Sequence, residues 1–410
     1  MTLTDGTSGT AAASLAICAG GGWLEVPAPD GRALRFPAAW LRDNCPCEQC
    51  LDPVTGQRLL DLAGIPAPVI TAAAGAPGED RVVVTYAPDG HRSAFAWSWL
   101  AGHALDGTIP PDPRTEDAKQ LWQAADLGWR PGHPGLAGPV SSPSLPAADW
   151  PPYAADPAAR SAILSAVLGY GVAVLHGVPA EPGSVLAVAA TLGYVRETNY
   201  GRLFDVRVEP SPDNLAYTSR EILPHTDNPY RDPVPTIQLL HCLRDAAGGG
   251  GTLLIDGFAA AALLREEDPA AFAVLTATPW PFAYTDAGTE LRACQPLIGT
   301  DPRGRIREVR LNGRSMQPLH GPAEQVAAAY DAYLAWARLL RRPELAIRTR
   351  LAPGDCLIFD NTRILHARTA FTVPAAASTA AGGTGGRHLQ GCYADLDGLA
   401  STLAVLRRGL

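Results

Sequence analysis

The sequence predicts a mainly β protein, in which an antiparallel barrel or jelly roll with flanking helices follows a small β-rich N-terminal module. Short strand-like runs, such as Gly171 to Val178 and Asp355 to Phe359, alternate loosely with helical segments and are separated by turns. No GxGxxG motif follows a strand, which argues against a dinucleotide-binding fold. The 410 residues, of which 47% are hydrophobic, suffice for one or two folded units with an apolar core.

Composition predicts three parts along the chain. Residues 1–110 form the small β-rich domain, with strands at Gly22 to Val26, Ala33 to Phe36 and Arg81 to Tyr86. Residues 111–155 are rich in Pro, Gly, Ser and Ala and predict a linker with one helix near Glu116 to Ala125. Residues 156–410 form the larger domain, in which the Ala/Gly-rich stretch Pro374 to Gly386 predicts a flexible surface loop.

The charge pattern excludes several classes of partner. The chain has 41 acidic and 33 basic residues, and its net charge of −8 disfavours binding to nucleic acid. Its first 31 residues lack Lys and Arg, so no secretory signal is predicted. The longest uncharged stretches contain Pro and Gly and do not predict a membrane span. We therefore expect a cytoplasmic protein without nucleic acid or membrane partners.

Three cysteines stand close together in the N-terminal domain. Cys45, Cys47 and Cys50 lie within the segment CPCEQC, and His91 is the nearest histidine of the same domain. A Cys₃His set suits tetrahedral Zn²⁺, and four protein ligands would make the zinc structural because no position stays open for chemistry. The same residues also allow reduced structural cysteines, or a redox pair of Cys47 and Cys50 with His91 as a surface residue.

A second group of polar residues predicts an iron site. His225 and Asp227 form a His-x-Asp motif, whose alternate residues face the same side of an extended chain. With His366, at the end of a predicted strand, they match the 2-His-1-carboxylate triad of non-haem Fe(II) oxygenases. Arg387 follows and can form a bidentate pair with a carboxylate. The alternative is that His225 caps a turn and Arg387 is a solvated charge.

Several longer blocks of sequence resemble one known family. They are LRDNCPCEQC, TNYGRLFDV, LAYTSREILPHTDNPY, IQLLHC, FDNTRILHAR and RHLQGCYAD. Together they resemble the γ-butyrobetaine dioxygenase family, within the taurine dioxygenase superfamily of Fe(II)/2-oxoglutarate oxygenases. The resemblance covers nearly the whole chain.

The resemblance implies a double-stranded β-helix (jelly-roll) catalytic domain that holds Fe(II) through His225, Asp227 and His366, after a zinc-binding N-terminal domain. It implies 2-oxoglutarate and O₂ as cosubstrates, with Arg387 pairing the distal carboxylate of 2-oxoglutarate and Leu240 in the same pocket. It also implies a homodimer. The gap from His366 to Arg387 is longer than the family pattern, because the Ala/Gly-rich stretch fills it.

Members of the family hydroxylate a C–H bond of a trimethylammonium substrate. By motif position the cation would lie among Tyr200, Phe204, Tyr217 and Tyr393, and the substrate carboxylate would meet Asn214 and Asn312. A quaternary ammonium has no N–H donor, so ring faces are the groups that can hold it. Phe204 stands where animal relatives carry Trp, which weakens one wall of this cage.

The expected function is therefore hydroxylation of γ-butyrobetaine to L-carnitine, with release of succinate and CO₂. The alternatives within the same chemistry are trimethyllysine and a trimethylammonio-alkylphosphonate as substrates. An alternative of another class is a zinc-containing interaction protein without catalytic activity.

Overall fold

The computed structural model describes residues 15–28, 32–75, 80–105, 112–128, 145–209, 212, 215–246, 248–372 and 386–409. The chain divides into two compact units, Met1–Pro110 and Pro111–Leu410. Within the described ranges, no helix is long and apolar enough to cross a membrane.

The first unit contains two three-stranded antiparallel sheets and two short helices. One sheet has the order β1 (Ala16–Cys18), β2 (Trp23–Pro27) and β3 (Ala33–Pro37), and the other has the order β4 (Val69–Ala74), β5 (Arg81–Ala87) and β6 (Arg92–Ala96). The helices are α1 (Ala38–Asp43) and α2 (Trp97–Gly102). In β5 the alternate residues Val82, Val84 and Tyr86 are buried, as expected for a strand with one face on a core.

The second unit contains the remaining strands and helices. Its strands are β7 (Ala147–Asp149), β8 (Val172–His176), β9 (Val195–Arg196), β10 (Phe204–Arg207), β11 (Ile222–His225), β12 (Ile237–Arg244), β13 (Thr252–Asp256), β14 (Pro279–Thr285), β15 (Glu290–Pro296), β16 (Ile298–Thr300), β17 (Ile306–Val309), β18 (Ala346–Thr349), β19 (Cys356–Asp360), β20 (Ile364–Arg368) and β21 (His388–Ala394). Its helices are α3 (Trp150–Ala155), α4 (Pro157–Tyr170), α5 (Ser184–Ala190), α6 (Gly257–Glu267), α7 (Pro269–Ala277), α8 (Ala323–Leu339) and α9 (Leu396–Arg407).

Two sheets form the barrel of this unit. The major sheet has the order β10-β21-β12-β19-β8-β7, with β9 also paired to β21, and the minor sheet has the order β11-β20-β13-β18. Apolar side chains of both sheets pack against each other between them, among them Val174, Leu240, Leu254 and Ile364. This arrangement confirms the predicted fold class, a mainly β jelly roll with flanking helices.

The outer face of the major sheet is covered by helices. Along β12, Ile237 and Leu239 pack with residues of α4, α5 and α9, whereas Leu240 faces the minor sheet. Helix α4 begins where the Asp156 side chain accepts the N–H of Ala158, and it ends at Tyr170, before Gly171, whose φ of 80° suits glycine. Alternate side chains of β12 therefore point to opposite faces of the sheet, one set toward the helices and the other toward the interior of the barrel.

The segment predicted as a linker has its described residues in the second unit. The predicted helix near Glu116 to Ala125 is wrong, because the structure has two short 3₁₀ helices, Glu116–Ala118 and Ala124–Leu127. Between them the barrel binds the backbone: Arg363 donates to the Gln120 carbonyl, and Asp256 accepts the N–H of Trp122. A continuous helix would use these N–H and C=O groups for its own backbone hydrogen bonds. The contacts with the barrel therefore replace helical hydrogen bonds.

Two predictions about chain organisation stay predictions. One is the division into residues 1–110, 111–155 and 156–410. The other is the flexible loop at Pro374 to Gly386, which lies outside the described residues except for Gly386.

Candidate active site

The fold brings the three predicted iron ligands together. Strands β11 and β20 are antiparallel neighbours in the minor sheet, and His225 lies directly opposite His366 in their register. The two imidazole centroids are 4.1 Å apart. Asp227 follows β11 by two residues, and one ligand atom from each of the three side chains lies within 4.8 Å of the others. Strand pairing therefore joins two residues that are 141 positions apart in the chain (366 − 225 = 141).

Hydrogen bonds orient these side chains. The Nδ1 of His225 lies 2.9 Å from the Leu223 carbonyl, which leaves Nε2 at 3.3 Å from Asp227 Oδ1. Buried Asn361 accepts the N–H of Asp227 at 2.7 Å and donates to its carbonyl at 2.9 Å. Gln238 donates to Asp227 Oδ2 at 2.8 Å. Such supporting bonds set the direction of metal ligands in proteins.

The electrostatics of the group suit a cation. Burial alone would raise the pKa of Asp227, but the hydrogen bond from His225 and the electrostatic attraction of the two neighbouring imidazoles outweigh it, and the pKa lies well below its usual range. Burial, together with the charge of His225, lowers the pKa of His366 to about 3. At neutral pH Asp227 is therefore a carboxylate and His366 a neutral imidazole, which are the forms that bind a metal.

Two imidazoles and one carboxylate on one side of a centre fit Fe(II) with positions left open for other ligands. A structural Zn²⁺ site would need a fourth protein ligand, and within the described residues the group has three. The donor set therefore favours a catalytic metal over a structural one.

A cavity of about 600 Å³ opens at the triad. Most of the residues predicted from the resemblance line it, namely Tyr200, Phe204, Tyr217, Leu240, Asn312, Arg387 and Tyr393. The remaining one, Asn214, lies outside the described residues. The cavity is thus one space that contains the metal ligands, a basic residue and an aromatic wall.

Arg387 is a buried cation in this cavity. Its exposed fraction is 6%, and burial lowers its pKa. Gly250 gives it room, because a Cβ at that position would lie 3.1 Å from Arg387 Cδ. Among the described residues no carboxylate lies within ion-pair distance of its guanidinium. A buried, unpaired charge is costly, so this position fits an anionic ligand rather than a solvated surface charge.

Aromatic rings form a continuous wall beside the triad. The Phe204 ring lies 5.1 Å from that of Tyr393 and 6.2 Å from that of Tyr200. Gly391, the register partner of Phe204, leaves space for this ring, because a Cβ there would lie 2.5 Å from it. Tyr217, at the end of the 3₁₀ helix Leu215–Tyr217, lines the same cavity.

Two further rings of this wall, those of Tyr230 and Tyr284, were not predicted from the sequence. Tyr284, on β14, lies 5.8 Å from Tyr200 and 5.1 Å from Tyr230. The hydroxyls of Tyr200 and Tyr230 are 3.0 Å apart, and Tyr230 donates to Asn228. Burial first, and nearby Asp227 as well, raises the pKa of Tyr200, Tyr230 and Tyr393, so these rings stay neutral.

Asn312 is buried and already engaged. Its Nδ2 donates to the Thr226 carbonyl at 3.2 Å, and its Oδ1 accepts the Nε of Arg314 at 3.3 Å. Arg314, which also lines the cavity, was missed in the sequence because an exposed arginine after a turn carries no distinctive pattern. The predicted role of Asn312 as a direct partner of the substrate carboxylate stays a prediction.

The predicted zinc ligands also meet. The Nε2 of His91 lies 3.2 Å from the sulfur of Cys45, 3.6 Å from that of Cys47 and 3.7 Å from that of Cys50. All four ligand atoms lie within 4.8 Å of one another. All eight cysteines are free thiols, so no disulfide competes with this cluster. A closed Cys₃His set fits structural Zn²⁺.

A buried arginine supports this cluster. Arg42 lies 3.0 Å from the Cys50 sulfur through Nη1 and 3.6 Å from Asp89 through Nη2. Burial raises the pKa of Cys45 to about 11. A thiolate at Cys45 therefore needs a compensating cation, which Zn²⁺ supplies directly.

Comparisons with known proteins agree with this geometry. The model of the taurine catabolism dioxygenase TauD, TfdA family matches residues 139–393, and the model of the γ-butyrobetaine hydroxylase-like N-terminal region matches residues 18–101. The γ-butyrobetaine dioxygenase of Pseudomonas sp. (strain AK-1) is 37% identical over 386 residues, which is 94% of each chain. The human γ-butyrobetaine dioxygenase is 29% identical and covers 91% of each chain.

The chain is also similar to a dioxygenase named for another substrate and to a solved structure. The trimethyllysine dioxygenase of Meyerozyma guilliermondii is 28% identical over 94% of each chain. Among solved structures, a taurine dioxygenase from Burkholderia xenovorans has a TM-score of 0.44 at 17% identity, covering 58% of this chain and 81% of its own.

The family matches confirm the predicted resemblance and the predicted dioxygenase class, with Fe(II) and 2-oxoglutarate as cofactors. One family model spans more than half of the chain, and the Pseudomonas relative exceeds 30% identity over almost all of it. The chain therefore belongs to the TauD, TfdA family of dioxygenases and, within it, to the γ-butyrobetaine dioxygenase family.

Proposed function

We propose that this protein hydroxylates γ-butyrobetaine to L-carnitine, with conversion of 2-oxoglutarate to succinate and CO₂. The observation that carries the proposal is the cavity in which His225, Asp227 and His366 meet a wall of aromatic rings and the buried cation of Arg387. Named relatives that act on γ-butyrobetaine align over at least 91% of the chain and support the choice of substrate.

Each group of residues has one task in this proposal. His225, Asp227 and His366 hold Fe(II), and Arg387 and Leu240 hold 2-oxoglutarate. When bound, iron with 2-oxoglutarate and O₂ supplies the oxidation that turns one C–H bond of the substrate into C–OH. The aromatic wall binds the trimethylammonium group and keeps the carbon to be oxidised beside the triad, because several ring faces attract one fixed positive charge.

Arg387→Ala is expected to raise the KM for 2-oxoglutarate strongly. A buried carboxylate that loses its charge-assisted partner costs roughly 2 to 5 kcal/mol, which corresponds to at least about thirty-fold. Steady-state kinetics with varied 2-oxoglutarate measures this change. Arg348→Ala, an exposed arginine on β18, is the matched control and should leave the KM unchanged. An unchanged KM in Arg387→Ala would assign the cosubstrate carboxylate to another basic residue.

A neutral substrate of the same shape tests the aromatic wall. In 5,5-dimethylhexanoate a tert-butyl group replaces the trimethylammonium group, so the volume stays and the positive charge is lost. We expect kcat/KM to fall by about five- to thirty-fold, the equivalent of about 1 to 2 kcal/mol of cation–π attraction. Phe204→Leu should reduce this preference, whereas Tyr194→Leu, at a tyrosine that is 93% exposed, should not. Equal kcat/KM values for both compounds would show that the pocket recognises the shape of this group and not its charge.

A substrate panel tests the proposed function itself. Succinate release is measured with γ-butyrobetaine, trimethyllysine and a trimethylammonio-alkylphosphonate, each with Fe(II) and 2-oxoglutarate. We expect the highest kcat/KM with γ-butyrobetaine. Trimethyllysine is the second candidate, because a trimethyllysine dioxygenase aligns with 94% of this chain. The absence of substrate-dependent succinate with all three compounds would favour the alternative of a zinc-containing interaction protein.

Cys45, Cys47, Cys50 and His91 hold a structural zinc in the N-terminal domain. The protein is a homodimer, and it works in the cytoplasm. The zinc assignment is supported by the close approach of the four ligand atoms. The homodimer is supported by the family resemblance, and the compartment by the eight cysteines without a disulfide, which suit a reducing environment.

A further inference from the structure

We propose that Arg368 is a positioning residue that holds the segment 216–220 in place for the substrate, and that 2-oxoglutarate bound at Arg387 strengthens this hold. The inference rests on the proposed function and adds to it a coupling between the cosubstrate and the substrate. The contacts of Arg368 and the charge of Arg387 carry the two parts of the inference.

Arg368 binds one short segment of backbone to strand β20. It lies two residues after the proposed iron ligand His366, and its exposed fraction is 6%. Its Nη1 donates to the Ala216 carbonyl at 3.0 Å, and its Nη2 donates to the carbonyls of Thr218 and Arg220 at 2.6 and 2.7 Å. Alternate residues of a strand face the same side of a sheet. The segment is therefore bonded to a side chain on the face of β20 that carries His366.

The segment 216–220 forms part of the cavity that contains the triad. Tyr217 and Arg368 both line this cavity. Tyr217 is one of the four rings expected around the substrate cation. Phe371 adds a backbone bond to the same segment, because its N–H donates to the Ser219 carbonyl at 3.1 Å. The position of Tyr217 relative to the triad therefore depends on Arg368 and Phe371.

The ring of Phe371 connects the two buried arginines of the cavity. The Cζ of Arg368 lies 5.0 Å from the ring centroid, and the Cζ of Arg387 lies 5.9 Å from it. Gly249 forms a β-bridge with Phe371, and a Cβ at Gly249 would lie 2.9 Å from the Phe371 Cα. The backbone of Phe371 is thus tightly packed, and the two guanidinium groups share one fixed ring.

These two cations lie close together without a paired acid. Among the described residues, no carboxylate lies within ion-pair distance of either guanidinium. Asp245, which acts on Arg387 from a greater distance, is already paired with Arg350. Burial first, and then the charges of Arg387 and Arg314, lower the pKa of Arg368 to about 10, which leaves it charged at neutral pH. Buried like charges repel each other, so an anion at Arg387 should also stabilise the position of Arg368.

2-Oxoglutarate and the substrate should therefore bind with positive cooperativity. In the proposed function 2-oxoglutarate places its distal carboxylate at Arg387, which offsets the repulsion between the two guanidinium groups. Arg368 then holds the segment 216–220 more firmly, and Tyr217 stays in the position that binds the cation. Coupling between two ligands is reciprocal, so the substrate should tighten the binding of 2-oxoglutarate by the same factor.

Hydrogen exchange of the segment 216–220 tests the structural part of this inference without any substrate. The iron-loaded, full-length enzyme is measured by mass spectrometry under anaerobic conditions, with and without 2-oxoglutarate. We expect 2-oxoglutarate to slow exchange in this segment by about three-fold or more in the unmodified enzyme. In Arg368→Met exchange should be faster and should not respond to 2-oxoglutarate. Arg348→Met, at an exposed arginine of β18, is the matched control.

Binding of γ-butyrobetaine tests the coupling itself. Its Kd is measured by calorimetry under the same anaerobic conditions, with and without saturating 2-oxoglutarate. We expect 2-oxoglutarate to lower this Kd by about five-fold or more in the unmodified enzyme, and by less than about two-fold in Arg368→Met and Phe371→Leu. Phe371→Leu keeps the three hydrogen bonds of Arg368, so it tests the coupling even if Arg368→Met does not fold.

The outcomes separate this inference from the proposed function. If 2-oxoglutarate lowers the Kd of γ-butyrobetaine equally in the unmodified enzyme and in Phe371→Leu, or if it does not lower the Kd in the unmodified enzyme, this inference alone is wrong. Exchange in the segment that is the same in Arg368→Met as in the unmodified enzyme would also overturn it. An unmodified enzyme that neither binds nor oxidises γ-butyrobetaine would overturn the proposed function, and the exchange measurement would still decide the role of Arg368.

Discussion

His225→Ala, Asp227→Ala and His366→Ala are each expected to abolish substrate-dependent succinate formation. The three ligand atoms lie within 4.8 Å of one another, and two remaining ligands hold Fe(II) poorly against water. Asp227→Asn is expected to fail for a further reason. Gln238 and Tyr393 both donate to Asp227 Oδ2, so an amide NH₂ group placed there would face two donors, and the negative charge would be lost.

The measurement is turnover together with bound iron per chain, for each variant and for the unmodified protein. His320→Ala is the matched control, because His320 is an exposed histidine of the same unit and does not line the cavity. Equal melting temperatures would show that the variants are folded. Substantial hydroxylation by any of the three alanine variants would remove that residue from the iron site.

Cys50→Ser is expected to remove about one zinc ion per chain and to unfold the N-terminal unit at a lower temperature. Binding of structural zinc contributes about 10 kcal/mol or more to the folding of small zinc modules, because the site does not exist in the unfolded chain. The zinc ligands belong to the N-terminal unit. Its strands β1 to β3 and β4 to β6 form two small sheets, and its described residues contain one apolar core cluster. Loss of the zinc ion should therefore remove a large fraction of the free energy of unfolding of the N-terminal unit.

Metal analysis and thermal unfolding, on protein purified without chelator, measure this effect. Cys18→Ser is the matched control, a cysteine of the same unit that is not part of the cluster. The folded fraction of Cys50→Ser should still bind iron, because the iron ligands belong to the other unit. Unmodified protein that contains iron but no zinc would contradict the zinc assignment.

From the sequence we predicted those zinc and iron ligands that lie close together within short motifs. Cys45, Cys47 and Cys50 lie within one turn-forming segment, and His225 and Asp227 lie two residues apart on an extended chain, so local spacing limits where they can point. His366 and Arg387 are distant in sequence, and the family resemblance linked them to the site. Strand pairing then explains their position, since β20 lies beside β11 and β21 beside β12.

The residues that were missed depend on tertiary contacts. Tyr284 joins the aromatic wall from the hairpin of β14 and β15, and nothing in its local sequence distinguishes it from a core tyrosine. Only a weak indication of Asn361 was present in the sequence, where it lies in the same block as His366. Its hydrogen-bond partner Asp227 is 134 positions away in the chain. The wrong helix near Glu116 has the same origin, since Asp256 and Arg363 bind the backbone that local propensity would make helical.

The most direct test of the central claim is oxygen-isotope labelling. Purified enzyme with Fe(II), 2-oxoglutarate and γ-butyrobetaine is incubated under ¹⁸O₂, and the products are analysed by mass spectrometry. The proposed reaction places one atom of O₂ in the new hydroxyl group and one in succinate, with one succinate formed for each molecule of L-carnitine. Succinate that forms without a labelled trimethylammonium alcohol, or an alcohol whose oxygen comes from water, would contradict it.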